Sequence, residues 1–339
     1  MNVLIVGGTG LISTAISRQL LERGVELTLY TRGQTPARFP DAARVVTGDR
    51  YDFATFEAQM QALGRFDCVI DMICFKPPQA ESAIRAFAGR TDQYIFCSTV
   101  DVYAKPADRY PITEASARRG DNDYAGNKIL CEDLMTEAHA RGELPVTIIR
   151  PGFTYGEGGG VLDVFGWTTR VIDRLRKGKP IIVHGDGSSL WVACHVDDAA
   201  HAFVTAAGDA QTLGKAYHVT GEEWLTWNRY YQQLAEAAGA PAPTLVHIPT
   251  DLLAMIDPQR ALSTVTNFQG NNLFDNSAAR TDLDFHYTIP WREGVERAIR
   301  WLDENGRIEN SNNDPFEDRV LAHWQALCAQ LVTAVRSES

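Results

Sequence analysis

Val3-Leu4-Ile5-Val6-Gly7-Gly8-Thr9-Gly10-Leu11-Ile12-Ser13 is the stretch on which the fold turns. A short apolar run stops at glycines, and helical spacing then takes over: Leu11, Ile12, Ala15, Ile16, Leu20 and Leu21 recur at that period up to Arg23. Gly7 allows a tight turn after the strand. Gly10 lets backbone come close to a pyrophosphate, which would rest on the helix N-terminus where N–H groups lack partners. Ser13 holds the third small position and still permits close helix–strand packing. A strand, a glycine loop and a helix, in that order within a βαβ unit, make a dinucleotide-binding pattern. Cofactor contacts are expected from Gly7, Thr9, Gly10, Leu11 and Ile12.

The alternation continues downstream. Val25–Tyr30, Arg44–Thr47, Asp67–Met72, Gln93–Cys97 and Val146–Ile149 read as strands, and Phe53–Leu63, Pro77–Ala88 and Tyr124–Arg141 as helices. This predicts an α/β fold, a Rossmann doubly wound parallel sheet with helices on both faces. After Arg150 the pattern changes. Gly156–Gly160 is a flexible stretch, and a helix is expected over about Leu162–Lys177. A short strand follows at Ile181–Val183, then a helix near Asp197 with Asp197 or Asp198 as its N-cap. Pro290 opens a helix that Asn305-Gly306 closes, and a last helix follows Pro315. Three regions are expected: a Rossmann domain over 1–155, with part of 190–220 returning to it; a smaller, mostly C-terminal α/β substrate-binding region over 156–305; and an amphipathic helix over 311–337.

The chain has 339 residues, enough for a large core, with 32 Lys and Arg against 43 Asp and Glu, a net charge of −11. With a pI near 5.2, this balance argues against a nucleic-acid partner. No run approaches the roughly 20 apolar residues of a membrane span, and the opening residues lack the basic region of a signal peptide. The six cysteines are scattered without metal-ligand spacing, so no metal is expected, and they read as reduced core residues of a cytoplasmic protein.

Past the second strand stand Thr31 and Arg32, with no acid before Asp41. An acid there would bind the adenosine ribose of NAD, whereas Arg32 suits a 2′-phosphate, so the expected cofactor is NADP or NAD, with NADP slightly favoured. Tyr124-Ala-Gly-Asn-Lys128 starts the long helix, and its i, i+4 spacing puts phenol and ammonium on one face. A tyrosine with a pKa of about 10 is a poor base, and a nearby ammonium lowers that value. Tyr124 would then exchange a proton with a substrate oxygen while hydride moves. Ser98 and Thr99 end the fifth strand, where open α/β sheets bind ligands.

Together, Gly7–Ser13, Ser98-Thr99 with Val102-Tyr103, Tyr124 with Lys128, Arg150-Pro151-Gly152 with Tyr155-Gly156, and His195-Val-Asp197-Asp198 resemble the extended short-chain dehydrogenase/reductase family. The resemblance covers roughly residues 1–305. It implies Thr99, Tyr124 and Lys128 as the catalytic triad, with Lys128 also on the nicotinamide ribose. It further implies Asp49, in Gly48-Asp49-Arg50, at the adenine, Lys76 near the pyrophosphate and Pro151 near the nicotinamide amide; Arg50 and Met72 are also expected to contact the cofactor. Thr31-Arg32-Gly33 also looks like a branch that includes chloroplast RNA-associated members.

Two departures bear on the substrate. Many members clamp a nucleotide diphosphate with an arginine four residues before the histidine of His195-Val-Asp197, and here that residue is Trp191. A second arginine is usual before the segment matching Asp275-Asn276-Ser277, yet Ala261–Phe274 contains none. Arg170 and Arg260 are basic residues elsewhere that would be available for the clamp. An indole cannot make a bidentate phosphate contact but stacks well on a sugar ring. The dehydratase branch uses two acids after the threonine, and here Val100 replaces the first while Asp101 remains. The sequence thus reads as an NAD(P)-dependent oxidoreductase or epimerase acting on a hydroxyl or keto group of a sugar-like small molecule. Asp101, Phe153 and Trp191 are its substrate candidates, and nucleic acid and membrane are excluded as partners. Two alternatives stand beside it: a non-catalytic dinucleotide sensor or RNA-associated scaffold on the same fold, and a nucleotide-sugar dehydratase. The apolar stripe of the last helix leaves room for a homodimer.

Overall fold

The computed structural model describes residues 1–36, 38–39 and 41–337. Two compact units divide the chain: Met1–Tyr155, Val192–Glu223 and Leu273–Pro290 form the first, and Gly156–Trp191, Trp224–Asn272 and Trp291–Ser339 the second.

The first unit begins with β1 (Asn2–Val6), α1 (Leu11–Glu22), β2 (Glu26–Thr31), β3 (Arg44–Thr47), α2 (Phe53–Leu63), β4 (Phe66–Asp71), α3 (Pro77–Phe87), β5 (Thr91–Cys97), α4 (Asp123–Ala140), β6 (Val146–Pro151) and β7 (Phe153–Tyr155). Asp52 caps α2 and Asn122 caps α4, each side chain accepting a first-turn N–H. In the second unit come β8 (Val161–Asp163), β9 (Gly166–Thr168), α5 (Arg170–Arg176), β10 (Ile181–His184) and β11 (Leu190–Trp191). The chain re-enters the first unit as β12 (Ala193–His195), α6 (Val196–Ala206) and β13 (Ala216–Val219). The second unit resumes with β14 (Leu225–Thr226), α7 (Trp227–Ala237), β15 (Leu245–Ile248) and α8 (Thr250–Ile256). α9 (Ser277–Leu283) belongs again to the first, while α10 (Trp291–Glu304) and α11 (Phe316–Ser337) complete the second.

The central sheet runs β13-β6-β5-β4-β1-β2-β3, and every pairing in it is parallel. Alternate strand residues serve two apolar layers. Val3 and Ile5 pack with Ile16 and Leu20 of α1 and Phe203 of α6. Leu4 and Val6 pack with Phe56 of α2, Ala83 of α3 and Met135 of α4. The strand order reverses between β1 and β4, so their C-terminal ends frame the crevice where such sheets take ligands.

The structure differs from the sequence reading at several places. Residues 161–168 form the β8–β9 hairpin, and only the short α5 remains of the helix expected over about Leu162–Lys177. Gly166 at φ +109° and the Asp163 carboxylate, which accepts the Phe165 N–H at 2.7 Å, make a turn that helical periodicity does not reveal. α6 is capped by the His195 ring, which accepts the Asp197 N–H at 3.2 Å, and not by Asp197 or Asp198. Asp198 instead accepts the Thr288 and Ile289 N–H groups, and Asp197 binds Arg18 at 2.7 Å. β13 is a seventh sheet strand beyond the six read from the sequence, and Leu273–Pro290 groups with the first unit.

Candidate active site

The glycine loop leaves β1 through Gly7, whose φ of +92° only glycine adopts easily. A side chain at Gly7 would also meet Ile73 at 2.6 Å, and one at Gly8 would meet Leu29 at 2.8 Å. Gly10 is different. Its φ is −80°, and a Cβ there would meet only Ser13 Oγ, at 3.4 Å. The chain's own packing does not require glycine at that position, which leaves the backbone at the α1 N-terminus open to close approach. Thr9, Leu11 and Ile12 line the same turn with partly exposed side chains. A dinucleotide pyrophosphate fits this donor set.

Around the crevice the expected contacts divide. Thr31 ends β2 and its Oγ1 accepts the Gly33 N–H at 3.1 Å, which shapes the turn that carries the exposed Arg32. Asp49 is exposed, and its carboxylate accepts the Tyr51 N–H. Met72 continues β4, its N–H on the Val6 carbonyl at 2.9 Å. Lys76 is exposed at the N-cap of α3, and Pro151 is buried at the end of β6. Arg50 turns inward. It is 1 % exposed, donates to the Gln79 carbonyl at 2.6 Å and to Asp71 at 3.4 Å, and covers the Phe56 ring at 4.1 Å. The cofactor contact expected of Arg50 is therefore corrected: its guanidinium is committed to the α2–α3 core.

α4 and the end of β5 bring Thr99, Tyr124 and Lys128 together. The Tyr124 ring is 43 % exposed, yet its hydroxyl end lies among Thr99, Cys97 and Asp101 and hydrogen-bonds Thr99. Loss of water at that end, with the Asp101 charge, holds the phenol well above the ordinary tyrosine value, and the Thr99 bond pulls the other way. The ammonium effect expected from Lys128 is not what governs Tyr124 here. Lys128 is 1 % exposed and donates to the main-chain carbonyls of Cys74 at 2.9 Å and Cys97 at 2.7 Å. Its Nζ is 6.0 Å from the Tyr124 ring centre. The Tyr124 phenol is thus held in its protonated form, with Lys128 buried one helical turn away.

Lys105 is a site neighbour that the sequence reading missed. Its buried ammonium sits 3.3 Å from Asp101 Oδ1, and burial pulls it below the ordinary lysine value while Asp101 raises it. The i, i+4 spacing of Asp101 and Lys105 was the available signal, but a short 3-10 turn at Val100–Val102, capped by Thr99, is what places them. Beneath the site, Arg150 donates to Glu132 at 2.7 and 2.8 Å and to the Tyr103 hydroxyl, which also contacts His218 at 2.6 Å. Phe153 stacks on Tyr155 with ring centres 6.0 Å apart. Trp191, in the second unit, is buried with its ring 5.1 Å from both Trp227 and Phe268, so most of its face is taken up by that cluster. Among the described residues no cluster of His, Cys, Asp and Glu is placed to hold a metal, and no helix is long and apolar enough to cross a membrane.

The family model for the NAD-dependent epimerase/dehydratase family matches residues 3–220. The chain belongs to that family. This agrees with the extended short-chain dehydrogenase/reductase motifs. Among relatives of the family, the chain is 30 % identical over 258 residues to the chloroplast stem-loop binding protein of 41 kDa b of Arabidopsis thaliana, covering 72 % of this chain and 65 % of that protein. It is 27 % identical over 241 residues to 2′-dehydrokanamycin reductase of Streptomyces kanamyceticus, covering 71 % and 68 %. The chain thus spans only about two thirds of either relative's length. Its fold is that of UDP-glucuronic acid 4-epimerase from Bacillus cereus, solved with NAD, at a TM-score of 0.71 and 18 % identity, covering 90 % of this chain and 99 % of that one.

Proposed function

We propose that the protein is an NAD(P)-dependent oxidoreductase or epimerase acting on a hydroxyl or keto group of a sugar-like substrate that carries no nucleotide diphosphate. The observation that carries this reading is the Tyr124 hydroxyl bonded to Thr99, with Lys128 buried behind both. When bound, the dinucleotide supplies or accepts the hydride. The N-terminus of α1 would hold its pyrophosphate, and Lys128 its nicotinamide ribose. Tyr124, kept protonated, gives its proton to a substrate carbonyl oxygen in the reductive direction and recovers it in the oxidative one. Thr99 donates a hydrogen bond to the same oxygen. Asp101, partly exposed beside Lys105, would accept from a neighbouring substrate hydroxyl.

The absence of a diphosphate rests on charge. Trp191 stands at the place of one clamp arginine, and in the second unit Arg170 and Arg260 both bind Asp314, at 3.0 and 2.9 Å. A missing charge-assisted contact costs about 1.5–3 kcal/mol, roughly 10- to 150-fold in affinity. The 2′-dehydrokanamycin reductase is a relative whose named substrate is not a nucleotide sugar. Turnover of dehydrogenated free sugars, glycosides or polyols with reduced dinucleotide tests the reading. Micromolar binding of UDP, dTDP, GDP or CDP in competition with substrate would refute it. The plastid relative's name, a stem-loop binding protein, together with the Thr31-Arg32-Gly33 resemblance, raises RNA association as a second reading. A net charge of −11 opposes it, and retention of an RNA stem-loop at physiological salt would restore it.

Coenzyme choice belongs to Arg32. With no acid at the end of β2, this exposed guanidinium meets a 2′-phosphate. Arg32→Ala is expected to weaken NADP about 10-fold and leave NAD within about twofold, the low end for a charge-assisted contact because the site is open to water. Titration of both dinucleotides into wild type and variant measures it; an unmoved ratio makes Arg32 a surface residue.

A further inference from the structure

We propose, resting on the function proposed above, that the Asp101–Lys105 pair selects a neutral substrate with a hydroxyl on the carbon next to the reacting one: an α-hydroxy ketone, or a vicinal diol in the oxidative direction. Both residues belong to the segment that follows β5. Thr99 caps its first turn by accepting the Asp101 N–H on Oγ1 at 3.1 Å, and the same Thr99 side chain is bonded to the Tyr124 hydroxyl. One short stretch of chain therefore holds both the Asp101 carboxylate and a hydroxyl that takes the reacting oxygen. Val100 turns into the apolar cluster with Val102, Tyr103 and Phe274, while the Asp101 side chain keeps 30 % exposure. The Asp101 charge also bears on the Tyr124 phenol. A carboxylate that flanks the phenol in this way meets the substrate at the atom beside the reacting carbon.

Lys105 decides what kind of group Asp101 takes. Its side chain is 5 % exposed, with Nζ 3.3 Å from Asp101 Oδ1. Burial pulls its ammonium below the ordinary lysine value, and Asp101 opposes that. The main chain is pinned as well. The Lys105 N–H reaches Asp121 Oδ2 at 3.4 Å, its carbonyl accepts from Arg119 at 3.0 Å, and Arg119 in turn holds Asp121 at 2.7 Å. A buried ion pair adds little stability over apolar residues of similar volume, so stability alone does not account for one beside a reacting centre. Carboxylate and ammonium together carry no net charge. A substrate ammonium would be repelled by Lys105 and a substrate carboxylate by Asp101, whereas a hydroxyl donates to Asp101 without bringing a charge into the site. In reduction the carbonyl takes a hydride at carbon and the Tyr124 proton at oxygen and becomes a vicinal diol, while the dinucleotide is oxidised. The neighbouring hydroxyl, bonded to Asp101, orients the ketone for that transfer. Lys105 acts on the substrate through Asp101 and is a positioning residue.

The deciding comparison is α-hydroxycyclohexanone against α-methylcyclohexanone, in which a methyl group of similar size replaces the hydroxyl, each with reduced dinucleotide. Wild type should prefer the hydroxy ketone in kcat/KM by about 10- to 150-fold, the range for a hydrogen bond to a charged group. Lys105→Met should lower that preference about 10-fold, and Lys105→Arg, which keeps a cation beside Asp101, should retain most of it. Asp101→Asn/Lys105→Met leaves neither buried charge unpaired, so the fold is kept, and it should bring the preference to within about threefold of unity. Circular dichroism and dinucleotide affinity report the fold of each variant. A pair with a structural role alone would change stability in these variants and leave the ratio of the two ketones where it was. Equal reduction of both ketones by wild type, or a double variant that keeps the preference, overturns the inference and leaves the proposed function standing. Reduction of neither ketone with either dinucleotide overturns both.

Discussion

Tyr124→Phe is expected to lower turnover by about 10²- to 10⁴-fold, the usual contribution of a positioned acid–base group. Dinucleotide affinity should stay within about twofold, since the phenol oxygen bonds Thr99 and no part of the glycine loop. The ring remains, so its packing 6.4 Å from Phe75 is kept. Only the hydroxyl is lost, with its exchangeable proton and its bond to Thr99. Lys128→Met makes the control. Its ammonium satisfies two buried carbonyls, so the variant should lose cofactor affinity as well as turnover. Steady-state rates with any accepted ketone, beside fluorescence titration of the dinucleotide, separate the two effects. Near-normal turnover in Tyr124→Phe would remove the phenol from the chemistry.

The second large effect is on stability. Arg150→Leu should destabilise the fold by about 3–5 kcal/mol, because it strands the fully buried Glu132 carboxylate. Arg118 reaches the same carboxylate at 2.9 Å and softens the loss, so the lower end is expected. Burial pushes Glu132 up, but the bonds and charge of Arg150, with the Ser98 bond and the Arg118 charge, together outweigh it and hold the carboxyl below the ordinary glutamate value. A depressed carboxylate contributes stability above its unfolded value, and that contribution is lost as pH falls through the folded one. In Arg150→Leu the acid side of the stability profile should flatten. Glu132→Leu in the same chain should recover most of the loss, since an apolar pair of similar volume leaves no buried charge. Denaturant unfolding of the single and double variants across acid pH measures this; a single variant as stable as wild type would show that Arg118 suffices.

What the sequence determined by itself is what local spacing encodes. The period change at Gly7–Ser13 and the strand–helix alternation to Val146–Ile149 specify a parallel α/β sheet, because a strand and its crossover helix are each legible in a short window. The Tyr124–Lys128 pair is legible for the same reason: i, i+4 on a helix is a local relation. Tertiary structure decided what depends on distant groups. Arg50 reads as a loop cation beside a nucleotide site until α3 supplies the Gln79 carbonyl and β4 supplies Asp71. The environment of Tyr124 is set by burial of its hydroxyl end, then by Asp101 and Cys97 from β5 and the turn after it, and not by the lysine one helical turn away. His195 became a helix cap because β12 pairs with β7 and delivers its ring to the start of α6. Hydrogen-bond partners and desolvation come from residues far apart in the chain, and no local periodicity records them.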